Sequence, residues 1–107
     1  MGTATVEVSG AQATQWAAEL HAVLTVNAQP GDKVSPVEVA RSAEMVIAVI
    51  GLVFAGVGTA KTIWDWWHSR RQGGVTVTIL LSDGTRLNLS DVSQDQLEIV
   101  FRQDESQ

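Results

Sequence analysis

An uncharged apolar run, Met45 to Ala60, constrains this chain more than any other feature. It reads MVIAVIGLVFAGVGTA, with Glu44 before it and Lys61 after it. A polar start leads in: Ser35-Pro36-Val37-Glu38 has the form of a capping box, with proline at the first helical position, where a missing N–H costs nothing. On the far side Trp64, Trp66 and Trp67 are followed by Arg70 and Arg71, and Gly73-Gly74 is a stop signal. The stretch 35–72 is therefore predicted as one long apolar helix. Unbroken, it would run about 55 Å at 1.5 Å per residue, longer than a 107-residue globule is wide. A protrusion, or a break at Gly56-Val57-Gly58, is expected, since glycine weakens a helix by about 1 kcal/mol relative to alanine.

Three readings of the run remain open. It is a helix buried on all sides, which is hydrophobic all round. Alternatively it enters a bilayer: sixteen residues cover about 24 Å against roughly 30 Å of hydrocarbon. The tryptophans and arginines that follow have the order of an aromatic belt and a basic flank, and Lys61 would snorkel. In the third reading it packs on copies of itself in water, which hides an apolar surface too large for a lone soluble particle. Gly51, Ala55 and Thr59, spaced four apart, form a small-residue stripe that suits either lipid or self-association, with Gly56 and Ala60 as a second pair. The residues expected to carry membrane contact or self-association are Ile47, Ile50, Gly51, Phe54, Ala55, Gly56, Gly58 and Thr59. Those expected to flank an interface are Lys61, Trp64, Trp66, Trp67, Arg70 and Arg71.

The rest of the chain reads as a small α+β domain spanning 1–107. Thr3 to Val8 alternates, with Ala4, Val6 and Val8 on one side, which predicts a half-buried strand. Ser9 to Gln12 resembles a capping box before a helix to about His21, whose stripe is Ala13, Trp16, Ala17 and Leu20. Val23 to Val26 is short and β-branched and is read as a second strand. After Gly74, Val75, Val77, Ile79 and Leu81 share one face of a strand, and Asp83-Gly84 turns it into a return through Leu87 and Leu89. Ser93 to Gln96 is a further capping box, with Val92 and Leu97 placed as a hydrophobic staple. The expected order is β-α-β-α-β-β-α: about four strands in one sheet, with helices packed on it.

Composition narrows the function classes. Net charge is −5, which opposes nucleic-acid binding. Lys61, Arg70, Arg71 and Arg86 against Asp65 and Asp83 make 61–86 the only stretch with a basic excess. There is no cysteine, so disulfides, thiol catalysis and cysteine-held zinc are excluded. With an N-terminus unlike a secretory signal, this points to the cytoplasm, at the inner membrane when activated. His21 and His68, the two histidines, have no metal-ligating partner at i+3 or i+4. Ser82, Ser90 and Ser93 fall in turns and caps, where serine has a structural reason to be. The glycines match no phosphate loop. A non-enzymatic protein with no cofactor or metal is expected.

The arrangement resembles a known family. A leading strand, a tryptophan-bearing helix, a Gly/Ala-rich apolar helix and a Trp-x-x-x-Arg-Arg exit (Trp66 to Arg71) feed a V-T-V-T strand (Val75 to Thr78) and a D-G-T-x-L-x-L return (Asp83 to Leu89). Nearly the whole chain is similar to the small bacterial domains called effector-associated constant components, first family. It departs from them in lacking a dense basic patch in its first half and in its acidic end. The resemblance implies an accessory part of a bacterial conflict system, a defence against phage, that accompanies effectors such as proteases and NTPases. It carries over no catalytic residue. The function expected is therefore a homo-oligomer that engages or permeabilises a membrane through its apolar helix, or an oligomerising adaptor that docks a protease or NTPase.

Overall fold

In a computed structural model, the described residues are 2–41, 46–70 and 75–105. Six strands and three α-helices follow one another as β1 (Gly2–Ser9), α1 (Ala13–Val26), β2 (Lys33–Val34), β3 (Glu38–Arg41), β4 (Val46–Phe54), α2 (Gly58–Arg70), β5 (Thr76–Leu81), β6 (Arg86–Asn88) and α3 (Gln94–Glu105), with a short 3-10 turn at Leu89–Asp91. The class is α+β, as expected, with more strands than expected.

β1 is the middle of the sheet. It lies antiparallel between β4 and β5, so that Val6 faces Ile50 on one side and Ile79 on the other. β6 extends the sheet beyond β5, while β2 and β3 share the outer edge of β4. Because β4 and β5 both oppose β1, they run parallel to each other, and α2 is the crossover that such a pair requires. The predicted alternation of β1 is realised: Ala4, Val6 and Val8 are buried and join Ile50, Leu52, Phe54, Val77, Ile79 and Leu81 in one core. The helices close that core from a single side, through Ala17, Leu20 and Leu24 of α1, Ala60 and Ile63 of α2, and Leu97 and Phe101 of α3. Phe54 and Phe101 meet with ring centroids 4.6 Å apart.

The long helix does not exist. Residues 46–54 are a strand, 38–41 another, and helix begins only at Gly58. The run is rich in β-branched residues, with Val46, Ile47, Val49, Ile50 and Val53, which suit a pleated strand. Both of its faces are apolar, so it shows no period to separate strand from helix. The longest dimension of the molecule is 38 Å, too short for the helix first expected. Gly56 and Gly58 do mark a boundary, but of strand with helix rather than a break within one. Ser35-Pro36-Val37-Glu38 caps nothing; Ser35 N–H donates to Gly51 O at 2.9 Å and leads into β3. The Gly73-Gly74 stop lies outside the described residues.

Two smaller expectations also change. Val23 to Val26 is the last part of α1, because Leu24 continues the buried stripe of Ala13, Ala17 and Leu20 at helical spacing. The first capping box does not form: Ser9 ends β1, and Gln12, the N-cap residue, makes no side-chain cap hydrogen bond. Trp16 is half-buried at the fringe of the core. By contrast, the last box closes as predicted. Ser93 N–H donates to Gln96 Oε1 at 2.8 Å, Gln96 N–H donates to Ser93 Oγ at 3.2 Å, and Leu97 is fully buried.

One buried carboxylate ties the last helix to the sheet. Asp104 is 4 % exposed. Its Oδ2 accepts from Thr3 N–H at 3.0 Å, and its Oδ1 accepts from Ser82 N–H at 3.3 Å and from the Ser82 hydroxyl. A carboxylate near a helix C-terminus is opposed by the helix dipole, so these donors are what hold it there. Gly2 is required beside it: a Cβ at that position would overlap the Phe54 ring and lie 2.9 Å from Asp104 Oδ2.

Candidate functional site

The side of the sheet away from the helices is the surface to which the sequence allots unexplained apolar residues. Alternation along β4 sends Ala48, Ile50, Leu52 and Phe54 to the core and Ile47, Val49, Gly51 and Val53 to the opposite face. On that face Ile47, Val49, Val53 and Leu80 of β5 are half-buried, and they belong neither to the core nor to its fringe. An antiparallel sheet with one covered face ordinarily alternates apolar inward and polar outward. β1 obeys this with Thr3, Thr5, Glu7 and Ser9, and β4 does not.

The strand register fixes what surrounds the apolar column. Val49 lies between Glu38 of β3 and Glu7 of β1, and Val53 between Lys33 and Thr3. Ile47 lies between Ala40 and Ser9. Gly51 leaves room for the chain leaving β2: a Cβ there would lie 3.2 Å from Ser35 Oγ. Arg86 Nη2 meets Glu7 Oε2 at 2.8 Å, with side-chain exposures of 57% and 25%. An exposed pair of this kind adds only about 0.2–1 kcal/mol, but it neutralises the carboxylate beside Val49.

The residues predicted to act together are dispersed. Ile47 and Gly51 lie on this open face, whereas Ile50 and Phe54 are fully buried on the opposite one. Ala55 and Gly56 form the turn after β4, and Gly58 and Thr59 begin α2. Gly51, Ala55 and Thr59 therefore form no stripe, since only the last of them is helical. Lys61 is exposed on α2 and Trp64 half-buried. Trp66 and Trp67, expected at an interface, are core residues at 5% and 8% exposure, so they form no aromatic belt. Trp64 packs on Trp67 with ring centroids 5.5 Å apart. Arg70 is the last residue of α2, and Arg71 lies outside the described residues. Among the described residues no helix is long and apolar enough to cross a membrane.

Val49, Val53 and Leu80 were missed. Their signal was present: in a segment of period two, both parities of 46–54 are apolar, one more face than a helix-covered strand needs. Trp66 carries a second unexpected feature. Its Nε1–H is buried with no acceptor, a condition that costs about 1–3 kcal/mol when no water or ligand relieves it.

Three of the serines and Asp83 are engaged in structure. Ser82 Oγ donates to Asp104, Ser90 Oγ donates to Asn88 Oδ1 at 2.7 Å, and Ser93 Oγ caps α3. Asp83 accepts from Thr85 N–H at 2.9 Å. Hydrogen bonds from the Thr85 hydroxyl and N–H hold its carboxyl below the ordinary value of 3.8. His21 and His68 stand on different helices, and no group of three potential metal ligands occurs among the described residues. Comparison with protein-family models, with curated proteins and with solved structures finds no match.

Proposed function

We propose that this chain is a non-enzymatic, self-associating adaptor whose open sheet face packs on a second copy of itself. The observation that carries the reading is the column of Ile47, Val49 and Val53, with Leu80 beside it, on the face no helix covers. The strands lie in five rows about 4.8 Å apart, β2 and β3 sharing the outermost; the rows run from about 10 Å at β6 to about 30 Å at β4 and together offer roughly 500 Å² per copy. Two such faces reach about the 1,000 Å² that a specific interface needs. Sheets pack face to face about 10 Å apart with their side chains interdigitated, and a twofold pairing closes the assembly. The resemblance to effector-associated constant components supplies the setting: an accessory part of a bacterial conflict system that brings a partner effector, a protease or an NTPase, to its place of action. Membrane insertion through an apolar helix is not carried forward, because β4 would first have to leave its place between β1 and the edge strands β2 and β3.

Val49→Lys tests the reading. Lysine at 49 would stand between Glu7 and Glu38, where opposite charges across strands are favourable, so the fold is expected to survive. Sedimentation velocity over a wide concentration range should give a dimer or larger species for the wild type and a monomer for Val49→Lys, with matching circular dichroism. Equal masses for the two proteins refute it. Flotation of the wild type, but not of Val49→Lys, with liposomes in place of self-association would replace the adaptor with a membrane-binding protein.

A further inference from the structure

We infer that the twofold axis of the paired copies passes over Gly51, and that Lys33 and Glu38, on the outer edge of the sheet, decide which copies pair. This placement rests on self-association through the open face and adds to it a register and a selectivity. Lys33 and Glu38 are five apart in sequence, and in a regular strand such residues point to opposite faces. Their partners on β4, Val53 and Val49, are four apart. One extra residue is therefore taken up between β2 and β3, as in a β-bulge. Both charged side chains thus come to the open face, Lys33 beside Val53 and Glu38 beside Val49. Both are exposed, and neither forms an ion pair or a side-chain hydrogen bond with another described residue.

The face is self-complementary about the row that holds Gly51. Gly51, Thr5, Leu80 and Arg86 lie side by side across four strands. A twofold axis along that row sets Val49 on the partner's Val53, Leu80 on the partner's Leu80, and Glu38 on the partner's Lys33. Symmetry makes the contact between unlike charges twice. Packed sheets lie about 10 Å apart, a gap that a lysine and a glutamate reach across together. An axis shifted by two residues along β4 sets Glu38 on the partner's Glu38, over Val49, or Lys33 on the partner's Lys33, over Val53. Opposite charges in one register and like charges in its two neighbours select that register against slipped ones. Arg86, which meets its own copy on the axis, is already paired with Glu7 in its own chain.

Sedimentation velocity of the whole chain tests the axis. Glu38→Lys sets lysine on lysine at both contacts, and Lys33→Glu sets glutamate on glutamate. Each variant alone should dimerise about tenfold to a hundredfold more weakly than the wild type. Net charge by itself predicts the reverse for Glu38→Lys, which makes the chain less acidic. An equimolar mixture of the two variants restores unlike charges at both contacts and should dimerise as the wild type does. So should the single chain that carries both substitutions. Circular dichroism should match throughout, since both positions are exposed on an edge. A wild-type dimer whose single variants associate unchanged, or whose mixture stays as weak as its components, overturns the axis and leaves the open-face reading standing. A monomeric wild type overturns both.

Discussion

Asp104 offers the sharpest stability test. Its carboxylate receives three donors from two strands: Thr3 N–H at Oδ2, and Ser82 N–H and the Ser82 hydroxyl at Oδ1. Hydrogen bonds to a charged group contribute about 1.5–3 kcal/mol each, and a buried donor left without an acceptor costs about 1–3 kcal/mol. Asp104→Ala strands two backbone donors and opens a small void. Because Thr3 and Ser82 are themselves exposed, water recovers part of the loss, and the net cost is about 2–4 kcal/mol. Asp104→Asn keeps the volume but has one acceptor oxygen. If that oxygen serves Ser82, the amide NH₂ confronts the Thr3 N–H, donor against donor, at a cost of about 1–3 kcal/mol. Ser82→Ala removes only the hydroxyl bond. The predicted order of destabilisation is therefore Asp104→Ala, then Asp104→Asn, then Ser82→Ala. Urea unfolding followed by tryptophan fluorescence reads it directly, with an unchanged m-value. In a domain of this size, 2 kcal/mol corresponds to roughly 8–16 °C in Tm. A loss below about 1 kcal/mol in both Asp104 variants would refute the view that this carboxylate anchors α3 to the sheet.

Two local predictions accompany it. Asp83 is held below 3.8 by the Thr85 hydroxyl and N–H, so its contribution to stability is present above the unfolded value and lost as pH falls through the lower folded one. A carbon-detected carboxyl titration should place Asp83 below 3.8, and Thr85→Val should move it part of the way back; no movement would contradict the assigned cause. Ser93→Ala removes the acceptor for Gln96 N–H and should cost about 1 kcal/mol, with faster amide exchange confined to the first turn of α3.

Some of this protein was legible residue by residue. β1, the β5–β6 hairpin and the cap of α3 each carry a local signal: alternation at Thr3 to Val8, Asp83-Gly84 with Gly84 at φ +92°, and the reciprocal Ser93–Gln96 pair. The turn and the cap are satisfied by neighbours a few residues away, while the alternation of β1 only marks its two faces and its pairing partners are distant. α1 was legible only in its first half. The β-branched residues Val23, Thr25 and Val26 mask the helical spacing from Leu20 to Leu24, and it is packing of Leu24 into the core that carries the helix on.

The candidate site was not legible in the same way. Ile47 and Gly51 were named for a helical surface and belong to a sheet surface, while Val49, Val53 and Leu80, which share it, were not named. Spacing of four has meaning on a helix and none on a strand, so one wrong element reassigns every face it carries.

By itself the sequence determined that this is a small acidic α+β domain, where its hairpin turns and where its last helix starts. It also determined that 45–60 holds more apolar side chain than one covered face consumes. Tertiary structure alone decided that 46–54 within it is a strand, because both parities there are apolar and no period selects a state. The choice falls to partners distant in the chain. β1 has two open edges, and pairing Val6 with Ile50 and Ile79 satisfies the backbone of all three strands while burying the inner parity of each.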